Sequence, residues 1–481
     1  MEIHTLEPKA IWSNFAALNA VPRASKKEER IIEFMKQFGK NLGLTVETDE
    51  VQNVLIRKRA SAGMENRKAI ILQGHLDMVH QKNSDSAFDF ENSGIDMYVD
   101  GDWVKARGTT LGADNGLGVA AIMGILASTD IAHPDIEALF TIDEETGMTG
   151  ALGLKGGWLK GKILLNLDTE EDNEIDIGCA GGMDVTAEGK YSPVSVPHDF
   201  TGIRISVKGL QGGHSGMDIH KGFGNANKLM NRLIYSAKIL GIKISSVDGG
   251  SLRNAIPRES NALLTINKSS VEECLRKMQE CKNEIIEEYR SIEPSLSIEV
   301  TQVDAPQEMM VDTDRVVGAI YTAVNGVFRM SPDIEDLVEA SNNVARVEIK
   351  NGTIKVLCLC RSSVESSKWD VAYSLRSAFE LAGLDVKFSG DYPGWTPNIN
   401  SPILQKMTGI YEDMFGQKPQ VVACHAGLEC GILGRNYPGM DMISFGPTIK
   451  GAHSPDERAS ISSSQKFWKY LVHVLSNIPE K

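Results

Sequence analysis

Cysteine is scarce: seven residues among 481, an odd number at irregular spacing. That pattern excludes the disulfide framework of small secreted domains and reads as reduced thiols. The amino-terminal MEIHTLEPKAIW has no basic segment followed by an apolar one, and no window reaches the roughly 18 apolar residues of a membrane span. A cytoplasmic protein is expected. Positive charge is also short, with 50 Lys and Arg against 64 Asp and Glu, a net charge of −14 and no extended basic run. Nucleic acid and anionic membrane are therefore excluded as partners, and a small substrate is expected.

What is present is enough chain for two to three domains, 42% hydrophobic and 24% charged. Its organising stretch is Leu139 to Gly157, LFTIDEETGMTGALGLKGG, where an apolar run ends in Asp143-Glu144-Glu145. Three acids at a strand end repel one another unless a cation sits among them, so a metal is expected there.

Other short β-rich runs end the same way. Lys68 to Gln73 leads into His75 and Asp77, which share a side of an extended strand, so Asp77 can accept the second ring N–H of His75. Lys162 to Leu167 ends at Asp168, and Met440 to Phe445 leads through Gly446-Pro447 to His453. Asp114 heads a small, apolar helical stretch, where helix capping competes with metal bridging. Open α/β sheets place their sites at the carboxyl ends of strands. His75, Asp114, Glu145, Asp168 and His453 form a mixed nitrogen and oxygen set that suits zinc, with one carboxylate available to bridge two ions.

The remaining segments carry weaker signals. Residues 8–43 have helical periodicity broken by Pro22 and read as scaffold, and Phe88 to Ala106 reads as a solvated acidic insertion without calcium-loop spacing. Gly156 to Lys162 imitates a phosphate loop, but Ile163 replaces the Ser or Thr that would hold magnesium. From Tyr191 to about Gly390 the pattern becomes β-α-β-β-α-β followed by α-β-β-α-β, two related halves without a residue-level repeat. Arg361 ends a strand in the second half, where binding a substrate carboxylate competes with pairing to Glu365. In CHAGLECG, Gly427 could receive a carboxylate at its backbone N–H and Glu429 a free amine.

The motifs GHLDMV, GADNG, DEETGMTGA, LNLDTEE and GAHSPDE, in that order, resemble the zinc peptidases of the M20 family. GGHSGMDIH and CHAGLECG are similar to its cytosolic aminoacyl-histidine (nonspecific) dipeptidases. The resemblance covers essentially the whole chain. It implies an α/β catalytic domain with a mixed sheet flanked by helices, formed by residues 1–190 and 391–481. It also implies an inserted αβ lid and dimerisation domain at residues 191–390. It implies that His75 and Asp168 hold one Zn²⁺, that Glu145 and His453 hold a second, and that Asp114 bridges them, with Mn²⁺ or Co²⁺ as substitutes. Glu144 matches the family's general base and Asp77 its ligand-orienting acid. His214 matches a lid histidine that stabilises an oxyanion, with His220 as a nearby competitor, and Asn254 matches a lid asparagine. Where other members carry an arginine at the end of the next strand this chain has Asn267, so the first half of the lid departs from the pattern.

The implied activity is hydrolysis of unblocked dipeptides, Xaa-His included, by a monomer or by a homodimer joined through the lid. The alternatives are an M20 tripeptidase or N-acyl-amino-acid amidohydrolase, a thiol hydrolase built on Cys424 or Cys430 beside His425, and a noncatalytic metal-dependent binding protein.

Overall fold

The computed structural model describes residues 2–481. Two compact units emerge. One comprises the chain up to Gly178 with Pro397–Ala423 and Leu428–Lys481, and the other comprises Cys179–Thr396 with Cys424–Gly427.

The first unit is built on an eight-stranded mixed sheet. At its centre Ile136–Thr141, Ile70–His75, Ile163–Asn166 and Asp441–Ser444 lie side by side and parallel. The first three are buried at every position, as strands covered on both faces must be. Each wholly buried Ile or Leu among them contributes about 1.5–3 kcal/mol. Thr45–Thr48 and Val54–Lys58 extend one edge antiparallel, and Glu174–Cys179 and Gln420–Cys424 complete the other.

Helices cover this sheet. Ala113–Ala127 is buried along nearly its whole length, and a Cβ on its Gly124 would meet Ala10 O at 3.0 Å, so glycine lets helix Lys9–Asn19 approach closely. Pro402–Phe415 starts with proline in its first turn, and its Ser401 cap accepts from Leu404 N. Ile461–Ser476 is capped by Ser460 in the same way. Among the described residues no helix is long and apolar enough to cross a membrane.

The acidic insertion is more than a solvated loop. Its second half forms the paired strands Met97–Asp100 and Trp103–Ala106; Trp103–Ala106 pairs with Arg458–Ser460, which pairs in turn with Ile449–Lys450, in a separate four-stranded sheet. Val104 and Ala106 are buried there, an alternation that the surrounding acids conceal in the sequence.

The second unit is a nine-stranded antiparallel sheet. Its order begins Ser297–Val303, Phe200–Lys208, Ser260–Asn267, Lys243–Gly250, and continues Val338–Lys350, Thr353–Ser362, Gly181–Lys190, Asp385–Tyr392, with Gly326–Met330 on Val338–Lys350. Numbered by position within each half, the strands run 4-1-3-2 and then 2-3-1-4. The first strand of the second half is Gly181–Lys190, which precedes the whole first half in the chain. That explains why the second half reads as α-β-β-α-β from sequence: its opening strand lies outside residues 191–390. Helices Ala226–Ser236, Val271–Tyr289, Thr313–Thr322 and Glu365–Leu381 close over the sheet with a core that includes Leu233, Met278, Ile320 and Phe379.

Candidate metal centre

The four central strands end on the same side of their sheet because they are parallel and in register. His75 is the last residue of its strand and is buried. Its Nε2 lies 3.1 Å from Asp114 Oδ1 and 3.4 Å from Asp168 Oδ1. His453 Nε2 lies 3.2 Å from Asp114 Oδ2 and 3.0 Å from Glu145 Oε2. The Asp114 carboxylate thus gives one oxygen to each histidine. Ligand atoms of His75, Asp114 and Glu145 all lie within 4.8 Å of one another.

Asp114 is not a helix cap. Its extended backbone, φ −80° and ψ 112°, would suit a cap, but its side chain turns to the two histidines and not to the N–H groups of the helix. The backbone there is held by Glu457, whose carboxylate accepts the N–H groups of Leu111, Gly112, Ala113 and Asp114 at 2.7–3.2 Å. Buried Arg23 donates to Gly112 O, Leu76 O and Asp77 O, joining this loop to the end of the His75 strand. Asn115 donates to Leu167 O, and a Cβ on Gly74 would lie 2.3 Å from Asn115 Oδ1. Only glycine before His75 leaves that amide its place.

Asp77 faces His75 Nδ1 at 3.3 Å and accepts the N–H groups of Glu144 and Glu145 together with the Ser25 hydroxyl. Asp143, in the left-handed region at φ 52°, accepts from Thr146 and Thr149 and donates its N–H to Glu28. The segment read as scaffold therefore supplies Arg23, Ser25 and Glu28 to the centre. His453, also left-handed at φ 63°, sits in the turn between Ile449–Lys450 and Arg458–Ser460. It is presented by the small sheet, not by the end of a main-sheet strand. Two non-glycine residues in that region mark a backbone held by its function, at about 1–3 kcal/mol each.

The electrostatics call for positive charge. Burial alone would depress His75, but Asp168, Asp114 and Asp77 outweigh it and hold the imidazole well above its normal range. Contacts to Asp114 and Glu145 raise His453 to about 11. Burial pushes Glu144, Glu145 and Asp168 up, and raises Glu170 to about 8. Glu145 Oε1 and Asp168 Oδ1 are buried without hydrogen-bond partners. The cluster binds protons and leaves acceptors open where divalent cations would satisfy both, so these residues fit a metal site.

His214, Asn254, Arg361 and Gly427 lie in the second unit. Arg361 is buried, and Glu365 is not its partner: that carboxylate lies 3.0 Å from Lys368 Nζ and accepts from Trp369. Arg361 Nε donates to Ser215 Oγ and Nη1 to Tyr392 Oη, while Nη2 lies 3.4 Å from His214 Nε2. His214 Nδ1 accepts from the N–H groups of Gly216 and Met217. The His214 and Asn254 loops are laced by Ser215 N to Asn254 O and Ile256 N to Gly213 O. Asn343 donates to Arg253 O and Ala255 O on either side of Asn254. His220 is exposed, in a short helical turn.

An α/β sheet whose parallel strand ends gather histidine, aspartate and glutamate defines a protein with a metal site of nitrogen and oxygen ligands. Residues 71–477 match peptidase family M20/M25/M40, and the chain belongs to that family. It is 42% identical over 485 residues to the cytosol non-specific dipeptidase of Escherichia coli (strain K12), with 100% of both chains covered. The crystal structure of aminoacylhistidine dipeptidase from Vibrio alginolyticus matches with a TM-score of 0.94 at 43% identity, covering 100% of this chain and 99% of that one. The aminopeptidase PepT from Bacillus cereus ATCC 10987 shares the fold, with a TM-score of 0.58 at 15% identity over 98% of this chain and 99% of that one.

Glu457 and Arg23 escape a reading from sequence because neither holds a metal directly. Glu457 stands inside the quoted GAHSPDE motif, whereas nothing around Arg23 signals its part. Replacing Glu457 by Gln exchanges an acceptor oxygen for an amide donor and leaves N–H groups of the Asp114 loop buried and unpaired. The expected result is a metal affinity about 10–100-fold weaker, read by competition with a chelating dye, together with a lower melting temperature.

Proposed function

We propose that this chain is a metal-dependent dipeptidase that hydrolyses Xaa-His and a broad range of other unblocked dipeptides. The observation that carries the reading is the Asp114 carboxylate divided between His75 and His453, with Asp168 and Glu145 beside them. The substrate class rests on the full-length likeness to the Escherichia coli and Vibrio enzymes. A cytosolic setting, as in the name of the Escherichia coli relative, accompanies it.

In this reading His75 and Asp168 would hold one Zn²⁺ and Glu145 and His453 another, with the Asp114 carboxylate shared between the two. Mn²⁺ or Co²⁺ also suits such ligands. When bound, the ions supply an acidified water and polarise the scissile carbonyl. Glu144 would serve as general base: its carboxyl, raised by burial, would accept a proton from the attacking water and return it to the leaving amine. Asp77 fixes the His75 ring and, through the N–H groups of Glu144 and Glu145, the aim of both acids.

The second unit acts in this reading as lid and dimerisation domain. Arg361 receives the substrate carboxylate, and His214 donates its Nε2 proton to the oxyanion, with Asn254 and the Gly427 backbone as further polar contacts. Of the two thiols in the alternative reading, Cys430 is wholly buried and Cys424 half-buried.

Chelation should abolish hydrolysis of a dipeptide panel and added Zn²⁺ or Mn²⁺ should restore it, while alkylation of Cys424 leaves activity in place. Inactivation by alkylation with chelators harmless would overturn the metal reading. Glu144→Gln should lower kcat by about 10²–10⁴ with both metals retained by elemental analysis, whereas Glu145→Gln should lose metal. Arg361→Ala should raise KM for free dipeptides and leave KM for carboxyl-amidated ones nearly unchanged. An equal rise for both would remove Arg361 from carboxylate recognition. Activity recovered on mixing inactive His214→Ala and Glu144→Gln proteins would show that His214 serves a partner's site in a homodimer.

A further inference from the structure

A second polar system crosses the main sheet, and the reaction above does not use it. Five neighbouring strands contribute one side chain each: Thr141, Gln73, Asn166, Ser444 and Asp176. Thr169 joins at one end of the row and Glu429, first residue of helix Glu429–Asn436, at the other. All seven are buried, five of them completely. Starting from Asp176 Oδ2, Thr169 Oγ1 lies at 2.7 Å, Ser444 Oγ follows at 2.8 Å and Asn166 Oδ1 at 2.5 Å. Asn166 Nδ2 then donates to Gln73 Oε1 at 2.5 Å, and Gln73 Nε2 to Glu429 Oε2 at 2.6 Å. Thr141 Oγ1 closes a triangle, 3.2 Å from Gln73 Nε2 and 2.6 Å from Glu429 Oε2.

Counting protons orients the chain. The triangle has three contacts, and they are filled by the two Gln73 amide protons and the Thr141 hydroxyl proton. With Gln73 turned over, only the Thr141 proton and one on Glu429 would be available, and a contact would stay empty. The Gln73 amide therefore faces Glu429, its oxygen takes the Asn166 amide, and Asn166 shows its oxygen to Ser444. At the far end three contacts join Asp176, Thr169, Ser444 and Asn166, but the two hydroxyls bring only two protons. The third comes from Asp176.

We propose that Asp176 is a protonated carboxylic acid, a positioning residue whose O–H sends every hydrogen bond of the chain toward Glu429. Glu429 in turn is kept as a carboxylate, gripped through Oε2 by Gln73 and Thr141. Its Oε1 is buried without a hydrogen-bond partner. The chain also fixes Gln73 and Asn166, each two residues before a residue of the metal centre, His75 and Asp168. Burial raises Asp176 to about 7 and Glu429 to about 7, so burial does not separate them and the proton count does. Glu174 and Asp168 are the charges acting on Asp176, while His75, Asp168 and Asp77 act on Glu429.

The test is infrared difference spectroscopy of the metal-loaded protein, wild type minus Asp176→Asn, at about pH 6. The expected signal is the carbonyl stretch of a protonated carboxylic acid, shifted in D₂O and lost on alkalinisation through about pH 7. Ser444→Ala supplies a second reading: with the chain cut, Thr169 can donate to Asp176, and the acid band should titrate at a clearly lower pH. No acid band in wild type, or one that titrates identically in Ser444→Ala, would overturn the assignment.

A raised carboxyl pKa favours the native state below the unfolded value and loses that contribution as pH rises through the folded one. The melting temperature of Asp176→Asn relative to wild type should therefore climb between about pH 5 and pH 8. Asparagine replaces the O–H with an N–H, so Asp176→Asn should keep kcat within about threefold while Asp176→Ala loses tenfold or more. Equal losses in both would overturn the donor role. Only this kinetic arm rests on the dipeptidase reading, and the spectroscopic arms stand apart from it.

Discussion

The contact on which the centre depends is the Asp77 carboxylate against the ends of two adjacent strands. One carboxyl group faces the His75 ring, accepts the backbone N–H groups of Glu144 and Glu145, and takes the Ser25 hydroxyl. Burial would raise its pKa, but His75, the Glu144 N–H and Ser25 overcome that and keep it low. It is therefore a fixed negative charge that ties imidazole orientation to the aim of two acids. Removing it would free four groups at once, the His75 ring, two backbone N–H groups and the Ser25 hydroxyl.

Much of this was legible in the sequence, for a physical reason. A buried parallel strand is a mostly apolar run, and an ionisable residue at or just past its end stands out against it. His75, Glu144, Glu145 and Asp168 are all of this kind. Asp114 was harder, since a carboxylate at a helix start has two uses, and only the direction of its side chain, toward His75 and His453, separates them. His453 stood near a strand in sequence but is delivered by a small sheet whose other half comes from the acidic insertion. That pairing joins residues some 350 apart in the chain, Trp103 to Ser460, and no local pattern announces it.

The second unit shows the same limit at larger scale. Helix and strand periodicity are local and were readable, but membership of a half is set by pairing. Gly181–Lys190 pairs with Thr353–Ser362 and Asp385–Tyr392 across the entire first half. Its β-α-β-β-α-β neighbour needed no such reach, because all its strands are consecutive. Arg361 was ambiguous for a related reason. Its helix-side neighbour Glu365 is close in sequence, yet the strand directs the guanidinium toward Ser215, Tyr392 and His214.

The charge distribution gives the centre a direction of coupling. Asp114, Glu145, Asp168 and Glu144 crowd two histidines, and the histidines alone do not neutralise them. A native state so arranged is destabilised by its own carboxylates until cations arrive, and it binds those cations at the expense of protons. Arg23 and Glu457 bear on the same balance from behind: a buried cation beside Asp77 and a buried anion on the Asp114 loop, both working through backbone groups. Because they hold main chain and leave the ligand oxygens open, they set the shape of the site without competing for the metal. The main chain that carries His75 and Asp114 is thus held by Arg23 and Glu457, while the carboxylates crowded around the two histidines are left electrostatically unsatisfied.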